Sequence, residues 1–307
     1  MTNTTQYILK TLAYFDIFHY PLLREEILQF HGEESNQAII NESLQTLLHD
    51  NCIFFIDEFY SLHNDITLAI KRKKANILAT EQMITAHKAA KILSRFPYVK
   101  GLAVSGSLSK NYGSEKTDID FFIITAANRL WIARTIMHLY KKLTYITGRE
   151  NWFCMNYYVD EAVPEIEEKN IFTAMEIATL LPMYGKTAFA DFMLANKWKT
   201  TYFPHCNAAT DHVTKIKKGL LSWLIEKIFN NSLGNAIDNR LMNITDKRWK
   251  RKVERNKKNV KGNPMGMMVS KHCSKPNPKN FQDKVVKEYQ LKLDGLLQPK
   301  PGMSKVG

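Results

Sequence analysis

Val104-Ser105-Gly106-Ser107 is followed, after ten intervening residues, by Asp118-Ile119-Asp120-Phe121-Phe122-Ile123-Ile124. Successive side chains of a β-strand point to opposite faces, so Asp118 and Asp120 share one face. The apolar run after them is typical of a strand that is buried on both faces. Two carboxylates at the start of such a strand repel each other unless a cation lies between them, and Mg²⁺ takes oxygen ligands of this kind.

The segment before the two aspartates is predicted to bind phosphate. Residues 99–105 form a predicted strand that leads into Gly106 and Ser107, and we expect a helix directly after them. Glycine lets the backbone approach a phosphate closely, serine offers a hydroxyl, and the N-terminus of a helix favours negative charge. Two apolar strands joined by this loop therefore predict a site for a phosphate group and a divalent cation.

An apolar strand, Gly-Ser, a spacer and Asp-x-Asp in a second apolar strand resemble the nucleotidyltransferase superfamily that includes DNA polymerase beta. The closer likeness is to the minimal and the aminoglycoside nucleotidyltransferases, and it covers roughly residues 96–160. The resemblance implies transfer of a nucleoside monophosphate from an NTP to an acceptor, with release of pyrophosphate. An RNA end, a protein hydroxyl and a small molecule are all open as acceptors.

The resemblance also implies roles for particular residues. Asp118 and Asp120 correspond to the carboxylates that hold two Mg²⁺ ions. Gly106 and Ser107 correspond to the residues that cradle the β- and γ-phosphates. Two lysines of the intervening loop are candidate phosphate contacts, Lys110 and Lys116.

The family pattern includes a third carboxylate on a later strand, and here the chain departs from it. Residues 152–160 are rich in aromatic side chains and predict that strand, with Cys154, Asn156, Tyr158 and Asp160 on one face. Asn156 holds the position expected for the acid; its amide can ligate a metal but cannot accept a proton. Asp160 is a candidate third acid about 13 Å further along. Either Asp160 supplies the acid, or the chain is a catalytically inactive nucleotide-binding regulatory protein.

Residues 1–64 predict a module of a different kind. Helical patterns over residues 5–18, 22–30 and 36–49, followed by a hairpin over 51–62, resemble a winged helix-turn-helix domain. This module carries two basic residues against nine acids, a net charge of about −7. Because affinity for DNA comes largely from neutralising phosphates, DNA binding is disfavoured and a partner-binding role is favoured.

The predicted fold class is α+β: a mixed sheet of the nucleotidyltransferase type, preceded by the winged-helix-like module and followed by a helical region. The predicted boundaries are a linking helix over 65–95, the core over 96–165, the helical region over 166–297 and a disordered tail over 298–307. In the helical region we expect helices over 171–181, 187–198, 213–233 and 281–297, and a loop over 274–280. Glu176 is interpreted as an exposed or locally paired acid.

The C-terminal third is strongly basic. Residues 211–307 carry a net charge of about +14, whereas the whole chain carries +13 because its first part is acidic. One helical pattern in this third runs through Lys247, Arg248, Arg251, Arg255 and Lys258. A solvated helix and a surface that binds RNA or another polyanion are both consistent with this pattern.

The remaining features concern the cellular compartment. No N-terminal targeting pattern and no apolar run of about 18–20 residues is present, so no membrane partner is predicted. The four cysteines are scattered and have no CxxC spacing, which is typical of reduced thiols in a cytoplasmic protein.

Overall fold

The computed structural model of the chain describes residues 2–115, 118–206, 212–255, 266–277 and 280–297. Within those ranges the protein is a mixed α+β structure, as the sequence predicted. The tail predicted to be disordered, residues 298–307, lies outside the described residues.

The first part of the chain forms three helices and a hairpin. These elements are α1 (Asn3–Asp16), α2 (Arg24–Gln29), α3 (Gln37–His49), β1 (Phe54–Ile56) and β2 (Phe59–Ser61). Asp57 and Glu58 both have positive φ, as a tight two-residue hairpin turn requires. The elements predicted for residues 1–64 are therefore present, and the resemblance to a winged helix stays a prediction.

One long helix follows, and it anchors the first part of the chain. This helix, α4 (Ile66–Leu93), begins at Asp65, whose carboxylate accepts a hydrogen bond from the N–H of Thr67. Arg72 on α4 is 1% exposed, lies 3.6 Å from the centre of the Tyr20 ring and pairs with Glu26 at 2.6 Å. This stacked and paired guanidinium holds Tyr20 against the central part of the molecule.

The central and C-terminal elements alternate between helices and strands. In chain order they are β3 (Val99–Val104), β4 (Asp120–Thr125), α5 (Leu130–Thr144), β5 (Cys154–Asp160), α6 (Ile171–Ala178), β6 (Leu181–Tyr184), α7 (Lys186–Ala195), α8 (Leu220–Phe229), α9 (Ser232–Arg255), β7 (Gly266–Val269), β8 (Cys273–Asn277) and α10 (Phe281–Leu297).

Six of the strands form one sheet in the order β6-β3-β4-β5-β8-β7. Only β4 and β5 are parallel neighbours; the other pairs are antiparallel. Consequently β3 ends at the same edge of the sheet at which β4 and β5 begin. Polar residues placed at those three strand ends lie close together.

Each face of the sheet is covered by helices. Leu102, Phe121 and Ile123 pack towards α4 and α5, on what we call the α5 face. Ala103 and Phe122 pack towards α7, on the α7 face. A third core joins α1, α2 and α3 to α6 and α10, so the first part of the chain shares its interior with the C-terminal part.

Residues 166–297 were predicted to be all helical, but the structure has strands there as well as helices. These residues contribute β6, β7 and β8 to the sheet, and the loop predicted over 274–280 lies largely in β8. Pro276 predicted a loop because proline cannot donate a ladder hydrogen bond, but it falls in the part of β8 that pairs only with β7. Of the helix predicted over 213–233, residues 220–229 form α8, which begins after Gly219, and residues 232–233 begin α9.

Candidate functional site

A cavity of about 440 Å³ lies at the edge of the sheet where β3 ends and β4 and β5 begin. Its polar wall consists of Gly106, Ser107, Lys110, Asp120, Asn156 and Glu176. Its aromatic wall consists of Tyr14, Phe15, Phe18, Tyr20, Tyr112, Phe172 and Phe281. Five of the residues predicted to form the site therefore lie together, with α1, α6 and α10 completing the enclosure.

The Gly-Ser loop lies directly against Asp120. Gly106 has φ +70°, and a Cβ atom on it would stand 2.6 Å from Asp120 Oδ2. The Ser105 N–H also donates to the backbone carbonyl of Asp120, at 2.9 Å. The helix predicted after Ser107 is only one 3₁₀ turn, Leu108–Lys110, because Asn111 takes a left-handed conformation. The loop backbone, rather than a helix N-terminus, therefore borders this part of the cavity.

Asp120 has unusual electrostatics for a carboxyl group. The pKa of Asp120 is raised to about 6, and burial is the largest cause. The carboxylates of Glu176 and Asp118 contribute to this rise, whereas a hydrogen bond from the Cys154 thiol and the charge of Lys110 act to lower the pKa. Asp118 is exposed and lies outside the cavity wall. A second positive charge near Asp120 would therefore stabilise its ionised form.

Lys110 connects the loop to a residue that the sequence did not identify as part of the site. Its Nζ donates to Glu176 Oε1 at 2.7 Å and to the Gly106 carbonyl at 3.1 Å. Tyr20 donates a hydrogen bond to the Lys110 carbonyl, which ties the loop to the first part of the chain. The only sequence signal for Glu176 is that it is the single charged residue of α6. Its partner is 66 positions away, so local spacing could not reveal the pair.

Asn156 and Asp160 do not share a face. Asp120 pairs with Cys154 and Phe121 with Met155, but Phe122 pairs with Tyr157, so Asn156 is an extra residue in β5. Such a β-bulge shifts the alternation by one residue. Asn156 lies in the cavity wall, whereas Tyr158, beyond the bulge, packs into the core of the α5 face. The prediction that Cys154, Asn156, Tyr158 and Asp160 lie on one face is therefore wrong beyond the bulge.

Asp160 lies at the opposite end of the sheet, opposite Thr125 rather than Asp120. It is fully buried and accepts hydrogen bonds from the N–H groups of Asn128 and Ala162, both at 3.0 Å, and of Val163 at 3.2 Å. His272 Nδ1 lies 2.8 Å from the same carboxylate. The geometry gives Asp160 the role of joining loops at the far end of the sheet. As a candidate third acid it is misplaced.

The side chains of the cavity wall can be compared with the ligands that the expected Mg²⁺ requires. Among the described residues, no group of three or more His, Cys, Asp and Glu side chains is arranged to hold a metal ion. Mg²⁺ commonly takes one or two carboxylates and completes its coordination with water and substrate phosphates. The raised pKa of Asp120 and the nearby carboxylate of Asp118 fit an ion that enters with a nucleotide.

Two sets of predicted residues lie elsewhere. Lys247, Arg248, Arg251 and Arg255 are exposed on α9, which packs on α5 and so lies across the sheet from the cavity. Lys116 and Lys258 lie outside the described residues.

Comparisons of the chain with protein-family models, with curated proteins and with solved structures find no match.

Proposed function

We propose that the chain is a nucleotidyltransferase that binds an NTP in this cavity and transfers its nucleoside monophosphate to an acceptor. The observation that carries the proposal is the close approach of the Gly106 backbone to Asp120 in the wall of one cavity. The resemblance to nucleotidyltransferases rests on a sequence pattern with two halves, Gly-Ser and Asp-x-Asp, which a loop separates. The close approach brings these two halves together. The parallel pairing of β4 with β5 brings Asn156 to the same place.

The two walls of the cavity suit different parts of a nucleotide. Ser107 and Lys110 offer a hydroxyl and an ammonium group to the β- and γ-phosphates. Nucleobases stack on aromatic rings, and rings from α1 and α10 line the opposite wall. Asp118 and Asp120 would hold Mg²⁺, which stabilises negative charge on the phosphates when it is bound.

The ion pair of Lys110 with Glu176 would allow Lys110 to exchange the Glu176 carboxylate for a phosphate group. In the structure the ammonium group of Lys110 pairs with Glu176 at 2.7 Å. Phosphate oxygens compete for the same ammonium group, and a released Glu176 carboxylate can accept the proton of the acceptor hydroxyl. We assign this proton to Glu176 because the Asn156 amide cannot accept it.

A second candidate function rests on Asn156 itself. An amide stands where the family pattern has a carboxylate, and this favours a protein that binds a nucleotide without transferring it. Such a regulatory protein would keep the cavity and its affinity for Mg-NTP and would lack turnover.

The experiment that tests the proposal uses NTPs labelled at the α-phosphate, Mg²⁺, the purified protein and a cell extract. Label should appear on a macromolecule or small molecule with the wild-type chain and fall about 100-fold or more with Asp118→Asn or Asp120→Asn. Asp191→Asn, at an exposed acid on α7, is the matched control and should leave transfer unchanged. Undiminished transfer by Asp120→Asn would contradict the proposal, whereas Mg-NTP binding without transfer would favour the regulatory protein.

A further inference from the structure

Helix α8 packs Ile225 and Phe229 inward but places most of its large apolar side chains towards solvent. The large side chains on its outer face are between 44% and 80% exposed, namely Leu220, Leu221, Trp223, Leu224 and Ile228. Two polar residues, Ser222 and Glu226, point inward instead. A surface helix of a globular protein normally keeps its large apolar residues inside and polar residues outside, so the exposed apolar face of α8 is unusual.

Specific hydrogen bonds hold α8 in this orientation. The Ser222 hydroxyl donates to the backbone carbonyl of Arg95. Glu226 Oε1 accepts the Tyr98 N–H at 2.6 Å and pairs with Lys218 Nζ at 3.0 Å. Turning the apolar face inward would break these contacts and leave buried polar groups without partners. The exposure of the apolar face is therefore fixed by the fold.

The segment that leads into α8 and α8 itself carry exposed lysines. Lys215, Lys217 and Lys227 are exposed, and within the described part of the chain none of them pairs with an acid. Lys227 lies 5.0 Å from the centre of the Trp223 ring. The single acid of α8, Glu226, is neutralised by Lys218.

We propose that α8 docks on the surface of an anionic lipid bilayer. Its apolar face would enter the boundary between headgroups and acyl chains, and the lysines around it would contact lipid phosphates and carboxylates. The face combines exposed leucines with a tryptophan and an adjacent lysine, Lys227, a combination suited to the interface of a bilayer.

This docking differs from spanning a membrane. No helix among the described residues is both long and apolar enough to cross a bilayer, and α8 has ten residues. The sequence-based prediction of no membrane partner rested on the lack of a long apolar run, which has no bearing on helices that lie in the interface.

The first test is cosedimentation of the full chain with vesicles of phosphatidylcholine containing three parts in ten of phosphatidylserine, compared with pure phosphatidylcholine. Wild type should bind the anionic vesicles and bind the neutral ones at least tenfold more weakly. Leu221→Gln, Trp223→Gln and Leu224→Gln in one variant should weaken binding by on the order of 100-fold. Lys217→Gln with Lys227→Gln should weaken it roughly tenfold.

The matched control replaces equally exposed apolar residues on three other helices, Ile77→Gln, Leu194→Gln and Leu291→Gln. Its vesicle binding should equal that of wild type, and circular dichroism should show that every variant keeps its fold. Absence of wild-type binding, or equal loss in the control, would overturn the proposal. A wild-type dimer in light scattering that the α8 variant dissociates would overturn it in favour of a second copy. Vesicle binding needs no nucleotide, so its result is independent of the proposed transferase activity.

Discussion

Gly106 and Asp120 meet at the edge of the sheet, where a Cβ atom on residue 106 would stand 2.6 Å from Asp120 Oδ2. That distance is shorter than real Cβ contacts, so any side chain at residue 106 must displace the carboxylate. The φ angle of +70° adds a second reason for glycine at this position. Both residues line the same cavity at this edge of the sheet.

The first prediction separates these two reasons for glycine. Gly148 also has a positive φ, of +64°, but a Cβ atom on it would have no atom within 4 Å. Gly148→Ala should therefore lower the free energy of unfolding by about 1 kcal/mol through backbone strain alone. Gly106→Ala should lower it by about 1–2 kcal/mol more. Urea denaturation measures both values. Equal losses of unfolding free energy in the two variants would show that the contact with Asp120 does not contribute to the cost of Gly106→Ala.

The second prediction concerns pH. The pKa of Asp120 is about 6 in the folded protein and 3.8 for the free side chain, so the folded state binds the proton more tightly. The contribution of this group to stability is therefore present below about pH 4 and is lost as pH rises through 6. Asp120→Asn should gain stability relative to wild type between pH 4 and pH 7.5, by on the order of 2 kcal/mol. A stability difference between Asp120→Asn and wild type that stays constant with pH would contradict the raised pKa of Asp120.

The third prediction distinguishes the two candidates for the missing acid. Asn156→Asp places a carboxylate in the cavity wall and should preserve or raise transfer and Mg²⁺ affinity. Asp160→Asn should lower the free energy of unfolding by about 1–3 kcal/mol, because it weakens a buried acceptor of three backbone N–H groups. Its nucleotide affinity in calorimetry should match that of wild type at a temperature where both are folded. Loss of affinity from Asp160→Asn alone would mean that the far end of the sheet takes part in binding.

The fourth prediction tests the exchange of partners at Lys110. Lys110→Met removes a phosphate contact and should weaken NTP binding by roughly 10-fold or more. Glu176→Gln keeps the shape of the side chain but frees Lys110, so NTP affinity should be kept or increased while transfer falls. Equal loss of affinity in both variants would indicate a purely structural ion pair.

The fifth prediction places polyanion binding on α9 rather than on the first part of the chain. Each phosphate contact with a single strand contributes about −0.7 to the slope of log affinity against log salt. Replacing Arg248, Arg251, Arg255 and Lys258 by Gln should therefore flatten that slope by up to about 3 in RNA filter binding.

The control for this measurement is Lys10→Gln with Arg24→Gln, which removes both basic residues of residues 1–64 and should leave the slope unchanged. Deletion of those residues is a poorer control, since they share a core with α6 and α10. The opposite pattern would assign nucleic-acid binding to the winged-helix-like module.

Local patterns in the sequence were sufficient for the elements whose causes are local. The apolar periodicity of residues 281–297 predicted α10 with the bounds that the structure has. Asn36 and Asp65 cap α3 and α4 through side-chain hydrogen bonds to residues two or three positions later, which spacing alone reveals. The strand after the Gly-Ser loop was recognisable because Phe121 to Ile124 is a continuous apolar run.

The composition of the site depended on contacts between distant parts of the chain. The bulge at Asn156 removes Asp160 from the face of Asp120, and period-two alternation cannot signal an extra residue in a strand. Glu176 enters the cavity because α6 packs between the first part of the chain and α10. Strands β6, β7 and β8 are short, and they form because neighbouring strands offer unpaired backbone groups. Helical periodicity and capping are therefore determined by residues that are close in the sequence. Strand register and the pairing of Lys110 with Glu176 depend on contacts that form only when the whole chain has folded.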